Sequence, residues 1–405
     1  MNGIVQSARA SEPALLERAA AAPMLAQVQG WAAVNSGSRN LDGLAVMAGL
    51  LADAFSALAG PIQLVAPEPV ETVAADGRMS TIAHGRHLHL TVRPDAPVRL
   101  LLTGHMDTVF PADHPFQAQR WLEPGVLNGP GVADMKGGLA VMLAALAALE
   151  GTEDAAAIGY EVVVNSDEEV GSPSSAALLR QAAAGKVAAF TYEPALPDGT
   201  LAGARAGSGN FSIIVTGRSA HAGRNPEEGR NALLAAADLA LRLKAGSGAG
   251  FSCNPAKIDG GGPNNVVPDH AVLRVNFRPR TPGDEIAARA LIDCAMADVA
   301  RDHEVRLHLH GGFGRPPKPM DAKAERLFGL VRRCGADLGL TIGWRNTGGV
   351  CDGNNIAACG VPVVDTMGVR GGSIHSDAEY LIADSLAERA RLSALALLRI
   401  ARGQY

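Results

Sequence analysis

Hydrophobic and polar positions follow two rhythms along the chain. Residues 23–58 place apolar side chains three and four apart, the period of a helix with one buried face. Short unbroken apolar runs stand at 98–103, 160–164, 187–192 and 361–364. Each has the length and character of a strand buried on both faces. The stretch 137–150 lies between the first two runs, rich in Ala and Leu and free of Pro, and is a strong helix former. Strand, helix, strand in that order predicts parallel pairing with helices packed over the sheet.

The middle of the chain reads differently. Strands are predicted at 211–216, 251–258, 271–277 and 305–310, with helices at 229–244 and 283–301. The order is β-α-β-β-α-β, the split βαβ arrangement. The chain then returns to its first pattern through a helix at 322–338 and a closing helix at 385–401, with Asp384 as its expected N-cap. The expected fold is therefore α/β. Residues 1–206 and 317–405 build a mixed, mostly parallel sheet with helices on both faces, and residues 207–316 form an inserted α+β domain.

Composition narrows the possible partners. A chain of 405 residues is too long for one ordinary core. Net charge is -5 and aromatic content 4%. Neither a phosphate-neutralising surface nor a base-stacking platform is expected, so nucleic acid is excluded as a partner. No apolar run reaches the roughly 18 residues of a membrane span, and no membrane partner is expected. Glu12 and Glu17 interrupt what would have to be the apolar core of a secretion signal. Five cysteines, an odd number, suggest a reducing compartment and hence the cytoplasm. Cys253, Cys294, Cys334 and Cys359 read as buried small apolar groups.

Chemistry gathers where the apolar runs end. Gly104-His105-Met106-Asp107-Thr108 follows the first run, and Asn165-Ser166-Asp167-Glu168-Glu169 follows the second. Glu193 follows the third, Asp134 precedes the Ala-rich helix, and His375 lies beyond the fourth. In an open parallel sheet the ligand crevice lies outside the carboxyl ends of the strands. Two imidazoles and several carboxylates thus converge, and like-charge repulsion calls for bound cations. The mixture suits two divalent ions, zinc above all with cobalt or manganese as alternatives, rather than calcium or magnesium. Ions about 3.5–4 Å apart would polarise a carbonyl and acidify a bridging water. Adjacent Glu168 and Glu169 can divide ligation from proton transfer. His87, His89, His308 and His310 alternate within strands and are expected to lie away from this crevice. The glycine-rich segment around Asp134 lacks the Gly-Lys-Ser/Thr ending of a nucleotide loop, and no Gly-x-Ser-x-Gly elbow occurs.

From about Met24 onward these segments resemble the M20 metallopeptidase family, and most of all its glutamate carboxypeptidase branch. The resemblance implies His105, Asp134 and Glu193 on one metal, and Asp134, Glu169 and His375 on the other. It makes Asp107 the carboxylate that orients His105, Glu168 the general base, and the bond after Asp134 a cis peptide. It makes the inserted domain a lid and the contact of a homodimer. His221 would reach the second subunit's active site to steady the oxyanion. Asn265 and Arg278 match substrate-contacting positions, and Arg280 and Arg315 are further candidates to grip a substrate carboxylate. Two positions depart from the pattern: Asn276 stands where the lid strand usually carries Asp, and Cys351 where Ser or Thr usually precedes Asp352. The implied activity is hydrolysis of an amide in a small N-acyl amino acid or peptide with a free carboxylate. A biosynthetic N-deacylase of the acetylornithine or succinyl-diaminopimelate type, or a catalytically silent binding protein, are the alternatives.

Overall fold

Six strands form the central sheet, in the order Ile62–Val65, His87–Val92, Ile158–Asn165, Val98–His105, Ala188–Thr191 and Val363–Val364. They are seen in a computed structural model that describes residues 2–405 and, from Glu12 onward, their side chains. The last four strands pair in parallel, and the first two join antiparallel. Alternate residues feed two cores. Leu102, Val162, Val164 and Phe190 pack on one face, while Leu101, Val163 and Ala189 meet Leu179 and Ile356 on the other. Apolar runs without alternation are what a strand covered on both faces requires.

The helix Gly138–Glu150 is buried on nearly every side, which explains why its sequence carries almost no polar stripe. A Cβ on Gly138 would stand 1.9 Å from the Tyr192 carbonyl oxygen. Only glycine lets this helix start directly against the segment that delivers Glu193. By length and composition 132–150 could cross a bilayer, but 94% of its most apolar window is buried in the protein.

The inserted unit has its own antiparallel sheet, ordered Phe251–Gly260, His270–Pro279, Ser208–Thr216 and Arg306–Arg315. Helices Ala232–Ala245 and Pro282–His303 pack on one face, bringing Leu239 and Ile292 to a core with Phe211, Ile213, Leu273 and Phe277 of the sheet. Thr281 and Asp284 close a capping box at the second helix. The polar face of this sheet turns to the central unit. There Arg274 Nη2 donates to the Val73 carbonyl at 2.8 Å, within the hairpin Val70–Val73/Met79–Ile82.

Both chain crossings between the units are pinned. Asn354 Nδ2 donates to the carbonyls of Ala206, at 2.9 Å, and Pro316, at 2.8 Å. Buried Asp365 accepts from Arg205 Nε at 2.8 Å and lies 3.1 Å from Lys318 Nζ.

Several expectations need correction. The helical rhythm of 23–58 is two helices, Met24–Ala32 and Leu41–Phe55, broken where Asn40 caps the Gly43 N–H at 3.2 Å. The closing helix begins at Asp384 itself, after Ala383, so Asp384 sits in the first turn and caps nothing. Cys294, on the outer side of Pro282–His303, and Cys359, just past the end of Asp352–Ala358, are exposed; Cys253 and Cys334 are buried. As expected, His87 does not line the cavity, but it stands closer to the strand-end rim than its strand alone suggested. Its strand runs antiparallel to Ile158–Asn165, so its first residue stands at the same rim as the last residues of the parallel strands. There His87 Nδ1 accepts the Ser166 N–H at 3.3 Å.

Candidate metal centre

Strand ends place the ligand set. His105 closes Val98–His105. Asp107, two residues on, is fully buried. Its main-chain carbonyl lies 3.0 Å from His105 Nδ1, and its carboxylate 3.4 Å from the same atom. The two oxygens of that carboxylate also accept the N–H groups of Glu168, at 3.1 Å, and Glu169, at 3.2 Å. Ser38 Oγ donates to it at 2.7 Å. One carboxylate therefore orients both the imidazole and the short 3-10 turn that carries the two glutamates. Asp167 braces that turn from behind, accepting from the Ser174 hydroxyl at 2.8 Å and the Ser175 hydroxyl at 2.6 Å.

Asp134 sits in the turn Val132–Gly137 ahead of the buried helix, and its bond to Met135 is cis. Its Oδ1 lies 3.1 Å from His105 Nε2, and its Oδ2 lies 3.4 Å from His375 Nε2. Glu193 Oε2 stands 3.7 Å from His105 Nε2, and Glu169 Oε2 stands 3.1 Å from His375 Nε2. The ligand atoms of His105, Asp134 and Glu193 all lie within 4.8 Å of one another, as do those of Asp134, Glu169 and His375. These are the two triads that the resemblance implies, with Asp134 common to both.

Electrostatics follow from crowding. Burial pushes the Glu169 carboxyl up to about 8, helped by the neighbouring Asp134 charge. Burial likewise raises Glu193 and Glu168. Hydrogen bonds to Asp134 and Glu169 hold the His375 imidazole up at about 11. Burial works against a charge on His105, but Glu193, Asp107 and Asp134 outweigh it and hold its pKa well above the ordinary value. The atoms that face one another across the two triads are those that divalent cations would take as ligands. Two imidazoles and three carboxylates in two triads with a common member fit a pair of borderline divalent ions.

The centre opens on a cavity of about 930 Å³ between the two units, lined by Asp134, Glu168, Glu169, Glu193 and His375 on one side and by Arg278 and Arg315 of the inserted unit on the other. Arg278 donates through Nε to Asn276 Oδ1 at 2.8 Å, so the uncharged Asn276 still aims it. Arg315 is 4% exposed and already engaged. It donates to Glu168 Oε1, to the Glu168 carbonyl at 2.8 Å and to Ser172 Oγ at 3.0 Å. It also approaches Asp352 Oδ1 at 3.4 Å. Cys351 is buried in the wall, 3.7 Å from Asp365 Oδ2. Arg280 is exposed and does not line this cavity. His221 and Asn265 also stay outside it, exposed and paired through the Ala222 N–H to the Asn265 carbonyl at 3.0 Å.

Sequence reading missed Glu379, Asn354 and Asp365, which carry no metal-type spacing. Glu379 stands between Ala378 and Tyr380 and Asp365 follows Val364, but Asn354 is followed by Asn355, so no common pattern marks them.

The chain matches the description "Peptidase family M20/M25/M40" over residues 101–399. It is 31% identical to carboxypeptidase G2 of Pseudomonas sp. (strain RS-16) over 319 residues, 75% of this chain and 74% of that protein. It is also 31% identical over 234 residues to succinyl-diaminopimelate desuccinylase of Maricaulis maris, covering 52% of this chain and 59% of that one. Among solved structures, aminopeptidase PepT of Bacillus cereus superposes with a TM-score of 0.70 at 22% identity, over 95% of this chain and 99% of that one. A dinuclear metal binding peptidase of the M20 family from Bacillus subtilis superposes with a TM-score of 0.64 at 14% identity, over 94% and 98%. The fold is that of M20-type peptidases. The chain belongs to the M20/M25/M40 peptidase family.

Proposed function

We propose that this protein hydrolyses an amide bond in a small N-acyl amino acid or peptide bearing a free carboxylate. The single observation that carries the reading is the pair of triads sharing Asp134, set beside buried Glu168 in one cavity. His105, Asp134 and Glu193 would hold one divalent ion, and Asp134, Glu169 and His375 the other, zinc suiting the donors best. Such ions polarise an amide carbonyl and acidify water.

The chain's own residues supply the rest. Glu168 takes a proton from the attacking water and delivers it to the leaving nitrogen. Burial favours the form of Glu168 that has accepted that proton, while Arg315 favours the carboxylate that accepts it. Arg278, which lines the cavity and is held through Nε by Asn276, anchors the substrate carboxylate. Closure of the inserted unit over the crevice excludes water.

His221 lies outside its own chain's cavity, and we assign its oxyanion role to a second copy in a homodimer. Exposed Leu234 and Leu241, one above the other on the helix Ala232–Ala245, support that contact. Five unpaired cysteines support a reducing, cytoplasmic setting.

The reading is tested with Glu168→Gln on a panel of acyl-amino acids and dipeptides. Turnover is expected to fall by about 10²–10⁴-fold, the worth of a positioned proton carrier, with both ions retained. Equal loss of turnover and of metal would make Glu168 a ligand and remove the proposed base.

A further inference from the structure

Glu379 lies four residues beyond His375, 1% exposed, with no role in the chemistry above. Its carboxylate collects three main-chain N–H groups from the loop that presents Asp134. Oε1 accepts from Ala133 and from Asp134 itself, both at 3.0 Å, and Oε2 accepts from Gly131 at 3.1 Å. Its own carbonyl accepts from Asn128 Nδ2 at 2.6 Å and from the Gly129 N–H at 3.3 Å. The next residue, Tyr380, pairs with Asn128 in an antiparallel ladder. Gly131 adopts φ +71°, a left-handed turn open to glycine, which bends the loop around the carboxylate.

We infer that Glu379 is a positioning residue: it clasps the Asp134 loop to the His375 loop and so sets the separation of two ligands of one ion. The inference rests on the two-metal reading. A buried carboxylate is costly unless its oxygens are satisfied, and here the satisfying donors all belong to the loop of the shared ligand. A role in filling space alone would be served by an apolar side chain. The clasp fixes the Asp134 main chain while leaving both of its side-chain oxygens directed to His105 and His375. Outer partners of this kind typically change metal affinity by about 10–100-fold when removed.

The test measures Zn²⁺ affinity and stoichiometry of chelator-stripped full-length protein by competition with a chromophoric chelator. The variants are Glu379→Gln, which keeps size but turns one acceptor into a donor, and Leu395→Ala, a control that loosens the core on the closing helix. Glu379→Gln is expected to weaken zinc binding by about 10–100-fold, while Leu395→Ala lowers the unfolding midpoint and leaves zinc affinity unchanged. Glu379→Gln with wild-type affinity for both ions overturns the clasp, as does a loss that Leu395→Ala reproduces. If Glu379→Gln fails to fold, Glu379→Asp carries the same readout: withdrawn by one methylene, it is expected to weaken zinc, and unaltered affinity overturns the inference. Failure of the wild-type chain to take up a second ion is a separate result that removes the two-metal reading.

Discussion

Arg315, the last residue of the outer strand of the inserted sheet, donates to Glu168 Oε1 at 2.5 Å. The general base proposed above thus has its counter-ion supplied by the other unit of the fold. Arg315 also holds the Glu168 carbonyl, so the seating of that unit bears on how the base is aligned.

Replacing Arg315 with Gln is therefore expected to lower kcat by about 10²-fold, the cost of misplacing a reacting group by about 1 Å, with little change in KM. Steady-state kinetics check it. A raised KM with unchanged kcat would instead make Arg315 a grip on the substrate carboxylate, a role its guanidinium fork could also fill.

Asp365 should make the chain crossings sensitive to acid. Burial opposes its charge, but Arg205 and Lys318 outweigh burial and hold its pKa below the ordinary value. A depressed carboxyl stabilises the fold fully above its unfolded pKa of about 3.9, and that contribution disappears as pH falls through the lower folded value. Asp365→Asn is expected to lose about 3–5 kcal/mol at neutral pH, as expected when one partner of a buried pair is removed. It should also show a shallower loss of stability below about pH 4. Denaturant titrations at several pH values measure both; an unchanged acid slope would show that other carboxyls govern it.

The proposed dimer predicts a linked pair of results. Leu234→Glu with Leu241→Glu should shift sedimentation from dimer to monomer, since both side chains lie exposed on one helix face. Activity should fall with it, because His221 would no longer reach a second cavity. A monomer with full turnover would separate His221 from catalysis.

Much of the centre was legible in the sequence for a simple reason. His105, Glu168, Glu169 and Glu193 each stand just past an apolar run, and the ends of buried parallel strands share one rim. Strand direction was not legible: the His87 run alternates equally well either way, and only its antiparallel pairing brings His87 to the rim. Arg315 was visible as a candidate arginine, but its partner depends on how the inserted sheet is seated, which no local pattern encodes. Glu379 escaped because its partners are main-chain N–H groups about 250 residues away, and backbone donors leave no residue signature. The break at Asn40 was hidden by helical rhythm on both sides, which the cap and its turn override.

In the proposed mechanism two cations sit among the shared carboxylate and its neighbours and are needed for amide hydrolysis. Metal content per chain, measured together with hydrolysis of an acyl-amino acid before chelation, after it and on re-addition of zinc, tests this most directly. Two ions per chain, loss of activity when they are stripped and recovery when they return are expected. A stripped chain that cleaves the amide at full rate would contradict it.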